Sequence, residues 1–315
     1  MKKSFESLAK NSRRAVVVGI GGGGDIIGAI PTSRYLRWLG TPTILGGLTW
    51  ERYVNDPEPG PRKMEEIVDI ELLSPTVGLA NERTRTTKGI RFTESVVAEV
   101  LQERTLLIDL NQGVKGVIEG LNEAMRKLDA DLFVGIDVGG DVLGDGREKG
   151  LHSMLADSMM LSAMANLEVP TVLGVLGCCM DGELTFDEFN RQLAKIAAHG
   201  GLLGARCLTP EDVEILEEVI PRTKTEASLL AVKAAKGLTG EVEIRGGRCK
   251  VQVTPMSALT FYLDTRIVFE NISKVAKALV PTTSLDEANE ILKRANLPSE
   301  LEFERSFAWK RYVKE

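Results

Sequence analysis

Apolar residues fall along this chain in two rhythms. Short Val-, Ile- and Leu-rich runs lie at Ala15–Ile20, Thr43–Leu48, Leu106–Asp109, Asp131–Asp137 and Thr171–Leu176. Near-continuous apolar runs of this length suit strands covered on both faces of a parallel sheet. Longer segments between them predict helices over 26–39, 93–103, 115–128, 151–168 and 186–199. Strands alternating with helices predict an α/β fold with a doubly wound, mostly parallel Rossmann-like sheet.

Local signals agree with this reading. Thr185-Phe-Asp-Glu188 and Ser284-Leu-Asp-Glu287 have the spacing of capping boxes, and Thr209-Pro210 puts a cap before a first-turn proline. Pro31 inside the first long helix predicts a kink or a restart. Gly246-Gly247 between Glu241–Arg245 and Arg248–Val253 reads as a two-residue hairpin turn. Residues 255–270 are too apolar for a surface loop, and their pattern does not choose between helix and strand; a helix is expected over 285–295. The expected organisation is a Rossmann-like ligand-binding domain over 1–210 and a smaller α+β subdomain over 211–315 packed on it.

The chain also repeats itself. Val18-Gly-Ile-Gly-Gly-Gly-Gly-Asp25-Ile-Ile-Gly28 aligns without gaps to Val134-Gly-Ile-Asp-Val-Gly-Gly-Asp141-Val-Leu-Gly144, with seven of eleven positions identical. Downstream, Pro42–Leu48 aligns to Pro170–Leu176 with five of seven identical. An internal duplication of βαβ halves near 15–48 and 131–176 is expected. If the first and fourth strands are neighbours, as in the strand order 3-2-1-4-5-6, both Gly-Gly-Asp loops open into one crevice at the carboxyl ends of the strands.

These loops explain the composition. Of the 31 glycines in 315 residues, six lie within 19–28 and six within 135–150. The net charge of -6 supplies no global basic field for nucleic acid. No apolar stretch is long enough for a membrane span and no secretory signal is evident. Four cysteines without a C-x-x-C pair fit reduced thiols in a cytoplasmic protein.

Gly19-x-Gly21-x-x-Gly24 matches the dinucleotide fingerprint in form, but position 44, twenty residues on, is Ile rather than an acid. Glu51, just after the second strand, is the alternative ribose ligand. The expected ligand-binding set is Gly21, Gly22, Gly23, Gly24, Gly139 and Gly140, whose amides suit a phosphate, with Glu51 and Arg52 at the loop edge. Asp25 and Asp141 bring negative charge to the same place, a conflict that Mg²⁺ or Mn²⁺ resolves. Asp25, Asp137, Asp141 and Asp145 are the expected metal ligands, and Asp141, Asp137 and His152 the candidate catalytic groups. The competing reading makes Asp25 and Asp141 helix N-caps. Cys178-Cys179 is read as a buried, inert pair. Asp181-Gly-Glu183 begins like a calcium loop, but no glycine stands at its sixth position, so an EF-hand is rejected.

Gly21-Gly-Gly-Gly-Asp25, Pro31-Thr-Ser33, Trp50-Glu-Arg52, Pro59-Gly-Pro-Arg62 and Asp137-Val-Gly-Gly-Asp141 together resemble a family best known from archaea, domain of unknown function number 1152. The resemblance spans most of 15–265 and implies membership without a reaction. The short loop 137–145 is also similar to the acid-rich Gly-Gly metal loops of D-glutamate-cyclase-like proteins.

The expected function is a metal-dependent hydrolase or phosphotransferase acting on a small phosphorylated metabolite or nucleotide. An NAD(P)-dependent oxidoreductase and a non-catalytic metabolite sensor are the alternatives. Neither nucleic acid nor membrane is an expected partner, and a homo-oligomer is compatible with the sequence.

Overall fold

A computed structural model describes residues 3–312. Its strands, in chain order, are β1 Ala15–Gly19, β2 Thr43–Leu48, β3 Ile67–Val68, β4 Glu71–Ser74, β5 Val77–Ala80, β6 Arg85–Thr86 and β7 Thr105–Ile108. They continue with β8 Leu132–Val138, β9 Thr171–Leu176, β10 Leu202–Cys207, β11 Gly240–Ile244, β12 Cys249–Val253 and β13 Leu259–Asp264. Nine of them form one sheet in the order β10-β13-β9-β8-β1-β2-β7-β5-β4. The five central strands, β9 to β7, pair in parallel, and an antiparallel pair of strands extends each edge. The fold is mixed α/β, with a large, mostly parallel central sheet and twelve helices among the described residues.

The apolar runs are continuous because both faces of the sheet are covered. Val16 and Val18 point into one core, with helices Gly113–Lys127 and Leu155–Met164. Ala15 and Val17 point into the other, with helices Asp25–Trp38 and Pro210–Val219. This is the two-residue period of a strand between two helical layers. β1 lies beside β8, with Gly19 opposite Ile136, and β8 lies beside β9, with Val138 opposite Leu176. Three strand ends therefore finish at one edge.

Three readings are sharpened here. The first long helix neither restarts nor stops at Pro31; it runs unbroken from Asp25 to Trp38. The helix expected over 151–168 spans Leu155–Met164. Its first expected residues are held out of it because a carboxylate from elsewhere, Glu183, accepts the amides of His152 and Ser153 at 2.6 and 3.0 Å. The undecided segment 255–270 divides into a 3₁₀ turn (Pro255–Ala258), β13 and a helix (Thr265–Asn271) that Asp264 caps through the Ile267 amide. β13 enters the main sheet antiparallel to β9. The Gly246-Gly247 hairpin forms as expected, joining β11 to β12, with both glycines at positive φ. Among the described residues, no helix is long and apolar enough to cross a membrane.

Candidate functional site: two buried carboxylate groups

β1 turns into its helix through 20–24, and β8 turns back through Gly139 and Gly140. Gly22, Gly23, Gly139 and Gly140 all have φ between +66° and +134°, a region other residues enter only with strain. These turns bring Asp25, the first residue of its helix, next to Asp137, near the end of β8. Asp157, in the first turn of helix Leu155–Met164, completes the group: one carboxylate oxygen from each of the three lies within 4.8 Å of the others. The Gly21 amide donates to Asp25 Oδ2 at 2.9 Å, and the Val142 amide to Asp137 Oδ2 at 3.2 Å. Asp157 is 2% exposed, and its Oδ1 is wholly buried without a hydrogen-bond partner. A Cβ on Gly21 would lie 2.7 Å from Asp25 Oδ2 and 3.3 Å from both oxygens of Asp157. Here glycine makes room for carboxylates.

A second group, Asp141, Asp181 and Glu183, meets the same 4.8 Å limit. Asp181 Oδ1 accepts the Glu183 amide at 3.0 Å, while Oδ2 is buried and unpartnered. A Cβ on Gly139 would come within 2.2 Å of that Oδ2. The Ser153 hydroxyl lies 2.5 Å from Glu183 Oε1 and 3.2 Å from Asp141 Oδ2. Arg245 pairs with Glu183 at 3.3 Å.

Crowding and burial raise every carboxyl pKa resolved here. Asp25 is pushed up to about 7 by burial, against hydrogen bonding from Gly21. Asp137 is pushed up to about 7 by burial and by Asp25. Asp141, Asp157 and Asp181 rise well above the usual range, each by burial first and then by neighbouring carboxylates. Among the described residues, Glu183 alone of the six forms an ion pair.

The neighbouring cation is Arg52, in a left-handed conformation (φ 61°). Its Nη1 donates to the Gly21 carbonyl at 3.1 Å, its Nε pairs with Glu304 at 3.4 Å, and its guanidinium lies 5.5 Å from the Trp50 ring centroid. Burial works against its charge, but Glu300, Glu304, Glu183 and Asp157 outweigh that and raise its pKa.

The C-terminal helix, Glu300–Tyr312, braces this arrangement. Glu304 accepts from Trp50 Nε1 and the Gly60 amide, both at 2.9 Å. Glu300 accepts the Leu155 and Ala156 amides at 2.9 and 2.8 Å, capping the helix that carries Asp157 with a carboxylate from a distant part of the chain. Removing it orphans two buried donors at a helix N-terminus. Glu300→Ala is expected to cost about 3 kcal/mol in urea unfolding, with Glu300→Gln recovering part of the loss; a cost below about 1 kcal/mol would refute the capping role.

The other expected site residues are placed as follows. Glu51 is buried; its Oε1 accepts the Thr93 amide at 2.5 Å, and its Oε2 receives Asn55 Nδ2 and the Thr93 hydroxyl. The amides of Gly23 and Gly24 donate to the Trp50 and Gly22 carbonyls, and those of Gly139 and Gly140 to Leu176 and Asp137. The side chain of Asp145 lies outside both groups, paired with Arg147 and, at 3.4 Å, with Lys274, and its pKa falls to about 2, first through the Arg147 hydrogen bond. His152 is exposed and meets the second group through its backbone amide. Cys178 and Cys179 are buried, and the Cys179 thiol pKa is raised by its hydrogen bond to Cys178 and by burial.

Asp157, Asp181 and Glu183 were not among the expected ligands. Asp157 looks like one polar position in an apolar helix, and no motif marks it. Asp181-x-Glu183 was visible as an acidic pair, but only its place beyond β9, next to β8, brings it to Asp141.

The model of a family described as a protein of unknown function, DUF1152, matches residues 16–308, and the chain belongs to that family. No curated protein and no solved structure matches it.

Proposed function

We propose that this chain is a divalent-cation-dependent enzyme acting on a small phosphorylated metabolite or nucleotide, with Asp25, Asp137 and Asp157 as the cation's ligands. One observation carries the reading: Asp157 holds a buried oxygen, Oδ1, without a hydrogen-bond partner, on a carboxylate that comes within 4.8 Å of those of Asp25 and Asp137. A buried carboxylate left bare costs several kcal/mol, and a cation removes that cost. The donors are all oxygens, with no imidazole or thiolate among them, which suits Mg²⁺ or Mn²⁺.

When bound, the cation would neutralise charge on phosphoryl oxygens and lower the pKa of a water. The chain's own residues do the rest. Arg52 supplies a fixed positive charge beside the carboxylates, in a planar fork that matches phosphate. The loop glycines allow close approach of the carboxylates. The amides of Gly21, Gly23, Gly24, Gly139 and Gly140 are already bonded inside the protein, so the cation and Arg52 would do most of the work of holding the phosphate. Burial and neighbouring carboxylates raise the pKa values of Asp141 and Asp181, so without metal these groups hold protons more readily than ordinary aspartates.

The adjacency of β1 and β8 and the meeting of Asp25 with Asp137 support a Rossmann-like sheet built from duplicated halves. The nicotinamide alternative has less support, because both oxygens of Glu51 are engaged by Thr93 and Asn55.

The test is phosphate release from nucleotides and sugar phosphates with Mg²⁺ or Mn²⁺. Turnover that needs the metal and falls at least 100-fold in Asp25→Asn is expected. A chain that binds no divalent cation, or binds phosphate esters equally well as Asp25→Asn, would sink the proposal.

A further inference from the structure

We infer that the two carboxylate groups form one centre for two divalent cations, the second held by Asp141, Asp181 and Glu183. The inference rests on the proposed function for the first cation and adds the second.

The groups are contiguous. The amides of Gly140 and Val142, on either side of Asp141, both donate to the Asp137 carboxylate, at 3.4 and 3.2 Å, so the two groups meet along this turn. In binuclear centres the ions lie about 3.5–4 Å apart and share neighbouring ligands.

Each group also keeps its own empty valence. In the first it is Asp157 Oδ1, in the second Asp181 Oδ2; both atoms are wholly buried and neither has a hydrogen-bond partner. In the second group backbone amides hold two of the oxygens: Glu183 N donates to Asp181 Oδ1, and His152 N and Ser153 N to Glu183 Oε2. Such donors orient a carboxylate and leave its remaining lone pairs for a metal. Gly139 repeats at Asp181 what Gly21 does at Asp157, leaving Cβ space to a carboxylate oxygen.

Charge favours two ions over one. Asp25, Asp137, Asp141, Asp157 and Asp181 have no ion-pair partner among the described residues. One divalent cation at the first group faces three carboxylates and leaves Asp141 and Asp181 uncompensated. A second ion there, with Arg245 on Glu183, balances the three carboxylates of the second group.

The test uses the full chain, stripped with a chelator and titrated with Mn²⁺ alone. Calorimetry is expected to give two Mn²⁺ per chain, and electron paramagnetic resonance an exchange-coupled pair. Asp181→Asn and, independently, Glu183→Gln should each leave one Mn²⁺ and abolish the coupling, with circular dichroism unchanged. One Mn²⁺ in the wild type, lost in Asp25→Asn but kept in Asp181→Asn, overturns the second site and leaves the proposed function standing. Two uncoupled ions that both survive Asp181→Asn also overturn it. A chain that binds no Mn²⁺ removes both readings.

Discussion

Metal-free protein gains about 2.7 kcal/mol of stability when Mn²⁺ is raised to about one hundred times its dissociation constant, because only the folded chain gathers the ligands. For a chain of this size the gain appears as a rise of about 5 °C in the unfolding midpoint. Asp157→Asn behaves differently in two ways. It removes a ligand of the first cation, so the Mn²⁺ response shrinks. It also replaces a buried carboxylate that lies among like charges, so the metal-free variant is at least as stable as the metal-free wild type. A ligand that is also a liability shows this crossed pattern. A residue needed only for packing would destabilise both forms. Thermal unfolding of both proteins in chelator and in Mn²⁺ decides the matter; an Asp157→Asn protein that responds like the wild type refutes the assignment.

Without metal, stability should fall as pH rises from about 4 to about 7. Asp25 and Asp137 titrate near 7 in the folded chain, chiefly because they are buried, against 3.8 for an unperturbed aspartate. Between those values the folded chain holds protons that the unfolded chain has released, so each pH unit costs up to about 1.4 kcal/mol per group. The contribution is fully present below the unfolded value and is lost as pH passes the folded one. The two groups interact, so their losses do not add; the combined loss is on the order of 4 kcal/mol. Divalent metal reverses the trend, since its ligands must be deprotonated and it binds more tightly as pH rises. Urea unfolding at pH 5 and pH 7.5, in chelator and in Mn²⁺, reads both slopes. A metal-free midpoint that is flat or climbs over this range would contradict the burial of these charges.

The parts of the site that were readable from the chain share one property: their signals are local. Ala15–Gly19 and Thr171–Leu176 show as strands because both faces are buried and every position is apolar or small. Asp25 and Asp137 stand out because each lies at or beside a glycine turn that no other composition would need. Asp145 sits in the same kind of loop and looks equivalent in sequence, yet it points to Arg147 and Lys274. Nothing in the spacing distinguishes the two cases, because side-chain direction in an irregular loop is settled by what packs against it.

Residues distant in sequence account for the rest. Segment 259–264 carries too few residues for its period to declare itself; it becomes a strand because the edge of β9 offers unpaired backbone groups, and it takes the antiparallel register Thr260 to Leu176. Glu300 and Glu304 read as ordinary acids in a polar, aromatic tail. Their roles, capping the helix of Asp157 and tying down the Trp50–Gly60 segment, exist only once that tail is laid across the strand ends.

By itself, then, the amino-acid sequence determined the layered α/β class, the positions of its central strands and the two glycine turns, because short-range periodicity and backbone sterics act within a few residues. The tertiary structure alone decided which acids converge. Six carboxylates from four separate segments reach one place only because β1, β8 and β9 are neighbours, and a separation of a few ångströms between charges is a property of that neighbourhood rather than of any stretch of chain.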